Sequence, residues 1–153
     1  MLQSRRDMLA RSAAVGAMLA AAGVLPARAQ AAWNKAAFEA RSVDDVIKAL
    51  GVAKPVESAD VLLTAPDIAE NGAVVPVSAS CALPGLRKLV FMIDKNPTTL
   101  AAVFELGDAV EPSIGTRIKM AESSNVVAAA LLADGRVLFA QKEVKVTLGG
   151  CGG

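Results

Sequence analysis

From Ala59 onward the chain is a series of short β-rich runs, each stopped by turn residues about every dozen positions, and few architectures accept that rhythm. The runs are Ala59–Thr64, Ala73–Cys81, Leu86–Ile93, Leu100–Leu106, Ser113–Met120, Val126–Leu132 and Val137–Leu148. Between them stand Asn71-Gly72, Pro84-Gly85, Asn96-Pro97, Gly107-Asp108 and Asp134-Gly135, whose backbone preferences suit turns and oppose the continuation of a strand. The spacing predicts an all-β, antiparallel β-sandwich of about seven strands over 59–148. Asp134-Gly135 is the strongest hairpin signal, because that pair tolerates the positive φ angles of a type I′ turn. The last run alternates, so Val144, Val146 and Leu148 are expected to point inward and Glu143, Lys145 and Thr147 outward.

Upstream of the β-rich region the hydrophobic period changes. Ser42 can cap a helix with Asp45 three residues on; Val43, Val46, Ile47 and Leu50 follow at helical spacing, and Gly51 stands where the chain should leave the helix. A helix over 43–50 is predicted, and Trp33, Ala37 and Phe38 extend the helical segment to 32–50. The single tryptophan is expected to pack on the domain rather than line a binding site.

The amino-terminal residues look like an address. Ser4-Arg5-Arg6-Asp7-Met8-Leu9 sets two arginines ahead of an apolar run from Ala13 to Leu25, and Ala27-Arg28-Ala29 has the small-x-small pattern of a signal-peptidase site. The apolar run is short of the ~20 residues that span a bilayer. Residues 1–29 are therefore expected to be a cleaved signal of the twin-arginine type, delivering a folded protein of residues 30–153 to the periplasm. Losing Arg5, Arg6, Arg11 and Arg28 along with Asp7 turns a net charge of +1 into −2, which leaves no basic surface for nucleic acid.

Elimination narrows the chemistry. The chain has no histidine, so it contains neither a Ser-His or Cys-His pair nor an imidazole metal ligand. Asp44 and Asp45 are adjacent on the predicted helix, where they complement its amino terminus. Arg117 and Lys119 alternate with Ile118 and Met120, as on a half-buried strand with a solvated basic side. Cys81 continues the apolar face of Val75, Val77 and Ala79, and is expected to be a small buried hydrophobe. What remains is Cys151, set in Gly149-Gly150-Cys151-Gly152-Gly153. Glycine gives the backbone wide conformational freedom and leaves no bulk beside the thiol. Residues 149–153 read as a flexible arm with one reactive group and a reach of roughly 15–18 Å.

Lys142 to Leu148 followed by that glycine-flanked cysteine resembles the carboxy terminus of the SoxY family, the sulfur-carrier subunits of bacterial thiosulfate oxidation. Ile68-Ala69-Glu70-Asn71-Gly72, Val75-Pro76-Val77, Asn96-Pro97 and Thr116-Arg117-Ile118-Lys119-Met120 agree with it, while Thr98-Thr99 stands where the family usually has a second proline. The resemblance implies an Ig-like sandwich that is not an enzyme and has no cofactor or metal of its own. It implies that Cys151 holds thiosulfate-derived intermediates covalently, and that Gly149, Gly150, Gly152 and Gly153 are its arm. The implied partners are a SoxZ-like subunit in a heterodimer, the haem-containing SoxAX, the manganese hydrolase SoxB and, where present, a sulfane dehydrogenase. Three rivals stay open: a periplasmic thiol oxidoreductase using Cys151 with Cys81, a carrier charging Gly153 as a thiocarboxylate, and an intermolecular disulfide staple.

Overall fold

A computed structural model describes residues 5–21 and 34–150. The chain divides into two units, Met1–Trp33 and Asn34–Gly153. The first contains helix α1 (Arg5–Ala21), and among the described residues no helix is long and apolar enough to cross a membrane. Ser4, the Ala27-Arg28-Ala29 cleavage pattern and Trp33 lie outside the described residues.

The second unit opens with two short helices, α2 (Lys35–Glu39) and α3 (Val43–Ala49). Ser42 caps α3 as expected: its Oγ accepts the Asp45 backbone N–H at 3.1 Å and donates to Asp45 Oδ2 at 2.7 Å. Gly51, at φ +67°, ends the helix while its N–H donates to Lys48 O and that of Val52 donates to Ile47 O. These are the two crossed bonds of a left-handed glycine stop. Asn34 ties the pair together, since its Oδ1 accepts from Ala37 N–H and its Nδ2 donates to Ala49 O.

Nine strands follow among the described residues: β1 (Val56–Glu57), β2 (Val61–Thr64), β3 (Ile68–Ala69), β4 (Val75–Cys81), β5 (Leu86–Ile93), β6 (Leu100–Glu105), β7 (Ser113–Ile118), β8 (Ser124–Leu132) and β9 (Val137–Val146). All seven expected runs are present and pair antiparallel, as a sheet ordered β9-β8-β5-β6 facing a sheet ordered β2-β4-β7. The two further strands, β1 and β3, have two residues each and pair parallel to β9 at its opposite ends. Two residues carry no alternation, so nothing in the sequence pattern announces them.

The larger sheet is covered on both faces. Leu89, Phe91 and Ile93 of β5 and Val126, Ala128 and Ala130 of β8 face the smaller sheet, where Val75, Val77, Ala79 and Cys81 meet them. The alternate residues Val90, Met92, Val127 and Ala129 face the helices, where Ala37, Val46 and Ile47 close a second core. This is why β8 reads as an unbroken apolar run rather than an alternating one. Phe91 meets Phe104 edge-on, with ring centroids 6.1 Å apart, a geometry worth about 0.5–1.5 kcal/mol beyond its buried area.

Two local expectations are corrected. The Asp134-Gly135 hairpin exists, but only Gly135 has positive φ, at +88°. Gly135 N–H donates to Leu132 O and Leu132 N–H to Arg136 O, so a type I turn followed by a glycine bulge replaces the type I′ turn. Leu148 does not point inward; it is 66% exposed, because β9 ends at Val146 and the chain bends away under contacts from two loops.

Candidate functional site

The sequence directs attention to the segment carrying Cys151, and the structure describes that segment through Gly150. Cys151, Gly152 and Gly153 lie outside the described residues. The described residues that lead up to it form a root, residues 146–150.

One side of the root is held by the loop around β3. Lys145 N–H donates to Asp67 O at 3.0 Å, Thr147 N–H to Ala69 O at 3.1 Å, and Gly72 N–H to Leu148 O at 2.7 Å. Thr147 Oγ1 adds a bond to Glu70 O at 2.9 Å. The other side is held by the loop that joins β7 to β8. Val146 N–H donates to Ser123 Oγ at 2.9 Å, and Gly150 N–H to Met120 O at 2.8 Å. Met120 N–H in turn donates to Gly72 O at 2.7 Å, linking the two loops beneath the root. Asn96 braces the second loop from outside, its Nδ2 donating to Lys119 O at 2.7 Å and its Oδ1 accepting from Ala121 N–H at 2.9 Å.

Three glycines make this crossing possible. A Cβ on Gly72 would collide with Met120 O, one on Gly149 with Ala121 O, and one on Gly150 with the Gly72 carbonyl and Ala73 N. None of the three has positive φ, so the requirement is close approach of backbone to backbone rather than an unusual conformation. Of the residues expected to form the arm, Gly149 and Gly150 thus pass close against the body, at a crossing that has no room for side chains.

The remaining candidates fall away from this site. Cys81 is fully buried with a free thiol, lies opposite Val61 on β2, and donates its N–H to Pro112 O at 3.1 Å. Arg117 and Lys119 are exposed while Ile118 and Met120 are buried, as their alternation predicts. Asp44 and Asp45 lie in the first turn of α3. Among the described residues no three His, Cys, Asp or Glu side chains gather as metal ligands.

Sequence reasoning placed Asn71-Gly72 and Asn96-Pro97 as turns and did not see that they meet at the root. One signal was there to be read: Ile68–Gly72, Asn96-Pro97 and Thr116–Met120, stretches that carry the family resemblance, are the ones that converge there.

Over residues 47–151 the chain matches the family model described as sulfur oxidation protein SoxY, a match that ends on Cys151. Among solved structures it is similar to the sulfur carrier protein SoxY from Chlorobium limicola f thiosulfatophilum, at 31% identity and a TM-score of 0.61, covering 69% of this chain and 94% of that one. It is also similar to a superoxide reductase (neelaredoxin) variant from Ignicoccus hospitalis, at 18% identity and a TM-score of 0.51, covering 56% of this chain and 78% of that one. The second likeness is one of fold alone. No curated protein matches the chain in sequence.

Proposed function

Because the chain belongs to the SoxY family, we propose that it is a sulfur carrier of the Sox system, holding thiosulfate-derived intermediates covalently on Cys151. The observation that carries this reading is the family match running through to that cysteine. Cys81 supports it by default: a fully buried thiol in the sandwich core is closed to a polyanion and to a partner enzyme, which removes the resolving cysteine the oxidoreductase reading needs.

Each step balances in atoms and electrons. Joining the outer sulfur of thiosulfate to the Cys151 thiol makes one S–S bond, releases a proton and passes two electrons to a haem partner of the SoxAX type. Water then attacks the sulfonate at a SoxB-type manganese hydrolase; the S–S bond to the sulfonate sulfur breaks, sulfate and two protons leave, and a persulfide anion stays on the protein. Haem and manganese belong to the partners. With no histidine anywhere, this chain offers no imidazole base beside the thiol, so activation falls to each enzyme. Its own contribution is presentation. A rigid sandwich, paired with a SoxZ-like subunit, holds one thiol between residues that add no bulk. Arg5 and Arg6, ahead of the apolar run in residues 1–29, support a periplasmic site of work reached by the twin-arginine route.

Intact mass of the exported protein before and after reductant tests the proposal. The expected result is a reductant-labile adduct that peptide mapping assigns to Cys151, absent in a folded Cys151→Ser variant that no longer supports turnover. An adduct on Cys81 or on the Gly153 carboxylate, or turnover in Cys151→Ser, would overturn it.

A further inference from the structure

Asn96 is 54 residues upstream of Gly150 and makes no hydrogen bond to the root, yet its side chain holds the groups that do. A peptide unit is planar, so fixing one end of it fixes the other. The unit joining Lys119 to Met120 carries Lys119 O at one edge, bonded to Asn96 Nδ2, and Met120 N–H at the other, bonded to Gly72 O. The unit joining Met120 to Ala121 carries Ala121 N–H, bonded to Asn96 Oδ1, and Met120 O, which accepts from Gly150 N–H. One carboxamide thus grips two consecutive peptide planes as a neighbouring parallel strand would, and both planes present their opposite edges to the root.

We infer that Asn96 is a positioning residue for sulfur transfer: by holding both peptide planes of Met120, it docks Gly150, the residue that precedes Cys151. The inference rests on the carrier reading for its purpose, though not for its geometry. Lys119, Met120 and Ala121 could not supply this alone. Their N–H and C=O groups alternate in direction, and without a partner on the outer side the loop would turn those edges to water. Asn96 has that reach because the segment after β5 passes beside the end of β7, and its own N–H is anchored to Ile93 O.

The test is residue-resolved amide exchange on the full chain. Asn96→Ala should speed exchange of both Met120 and Gly150 by at least tenfold while Ala129, in the middle of β8, is unchanged. Asn96→Asp keeps the acceptor for Ala121 N–H and loses the donor to Lys119 O, so it should release Met120 far more than Gly150. A merely structural role would move Ala129 with the others and give no such split. With the haem partner, Asn96→Ala should raise the KM for the carrier several-fold at unchanged kcat, since fewer encounters present the thiol correctly. Unchanged Gly150 exchange in Asn96→Ala, or equal release of both amides by Asn96→Asp, would overturn the inference. Should neither variant fold, the unaltered chain decides. Through-hydrogen-bond couplings from Ala121 N–H to the Asn96 carboxamide and from Gly150 N–H to Met120 O are expected, and their absence would also overturn it. Cargo surviving in Cys151→Ser would remove the carrier reading but leave these exchange results standing, so the two failures are distinguishable.

Discussion

At its start β9 follows Gly135, which sits at φ +88° with nothing within 4 Å of where a Cβ would be; at its end it runs into Gly149 and Gly150, which have no positive φ and whose Cβ positions are already filled by backbone. The first glycine serves conformation and the other two serve proximity. A conformational glycine is a local matter, settled by its own turn and visible beside Asp134 in the sequence. A proximity glycine answers to residues far away, here Ala121, Gly72 and Ala73, and nothing adjacent to it in the chain reports that debt.

The contrast can be broken by substitution. Gly72→Ala should cost the most, about 3 kcal/mol, because its Cβ meets Met120 O, a backbone atom of the opposing loop that cannot turn away. Chemical denaturation measures this, and a loss below that of Gly135→Ala would break the comparison. Gly150→Ala meets a similar obstruction but lies past the last strand, so the root should lift instead. Amide protection at Gly150 should vanish while global stability moves by less than about 0.5 kcal/mol.

Gly135→Ala should cost about 1–2 kcal/mol, the strain of a left-handed alanine in open space. Gly135→Asn should recover much of it, since asparagine tolerates that region, whereas Gly72→Asn should recover nothing. The smallest effect belongs to the same turn. Hydrogen bonds from the Arg136 backbone N–H and then its side chain hold the Asp134 carboxyl below its ordinary range. A depressed carboxylate contributes stability that is present in full above its unfolded pKa and is lost as pH falls through its folded value. The stability gap between the unaltered chain and Asp134→Ala should therefore be steady at neutral pH and shrink below about pH 4. A gap that widened in acid would refute that assignment.

The seven main strands and the α3 helix were legible because each depends on its own residues: Ser42 caps its own helix, and Val75, Val77, Ala79 and Cys81 alternate on their own strand. β1 and β3 were not, being pairs of residues whose strand character comes entirely from β9. Leu148 was misplaced because alternation was carried past the point where two loops take over the hydrogen bonding. At the site, elimination left Cys151 as the expected chemical group, while the close approach of Gly149 and Gly150 was hidden in contacts with segments some 30 and 80 residues away. Glycine beside a terminal cysteine suggests freedom, and only the packed crossing reveals the second use.

The two grips on the end of β9 also differ in how they would bear a pull. A tug on the end of the chain meets first the single Gly150–Met120 bond, which opens alone, as a latch does. Beyond it the load meets the bonds of Leu148, Thr147 and Val146 to the two loops and then the ladder of β9 to β8, from Ser124↔Val144 to Leu131↔Val137, which resist together in shear. The tether would therefore yield by one short step and then come up against a stop. A pull on the end of the chain could draw it outward to a set length without unravelling the sandwich behind it.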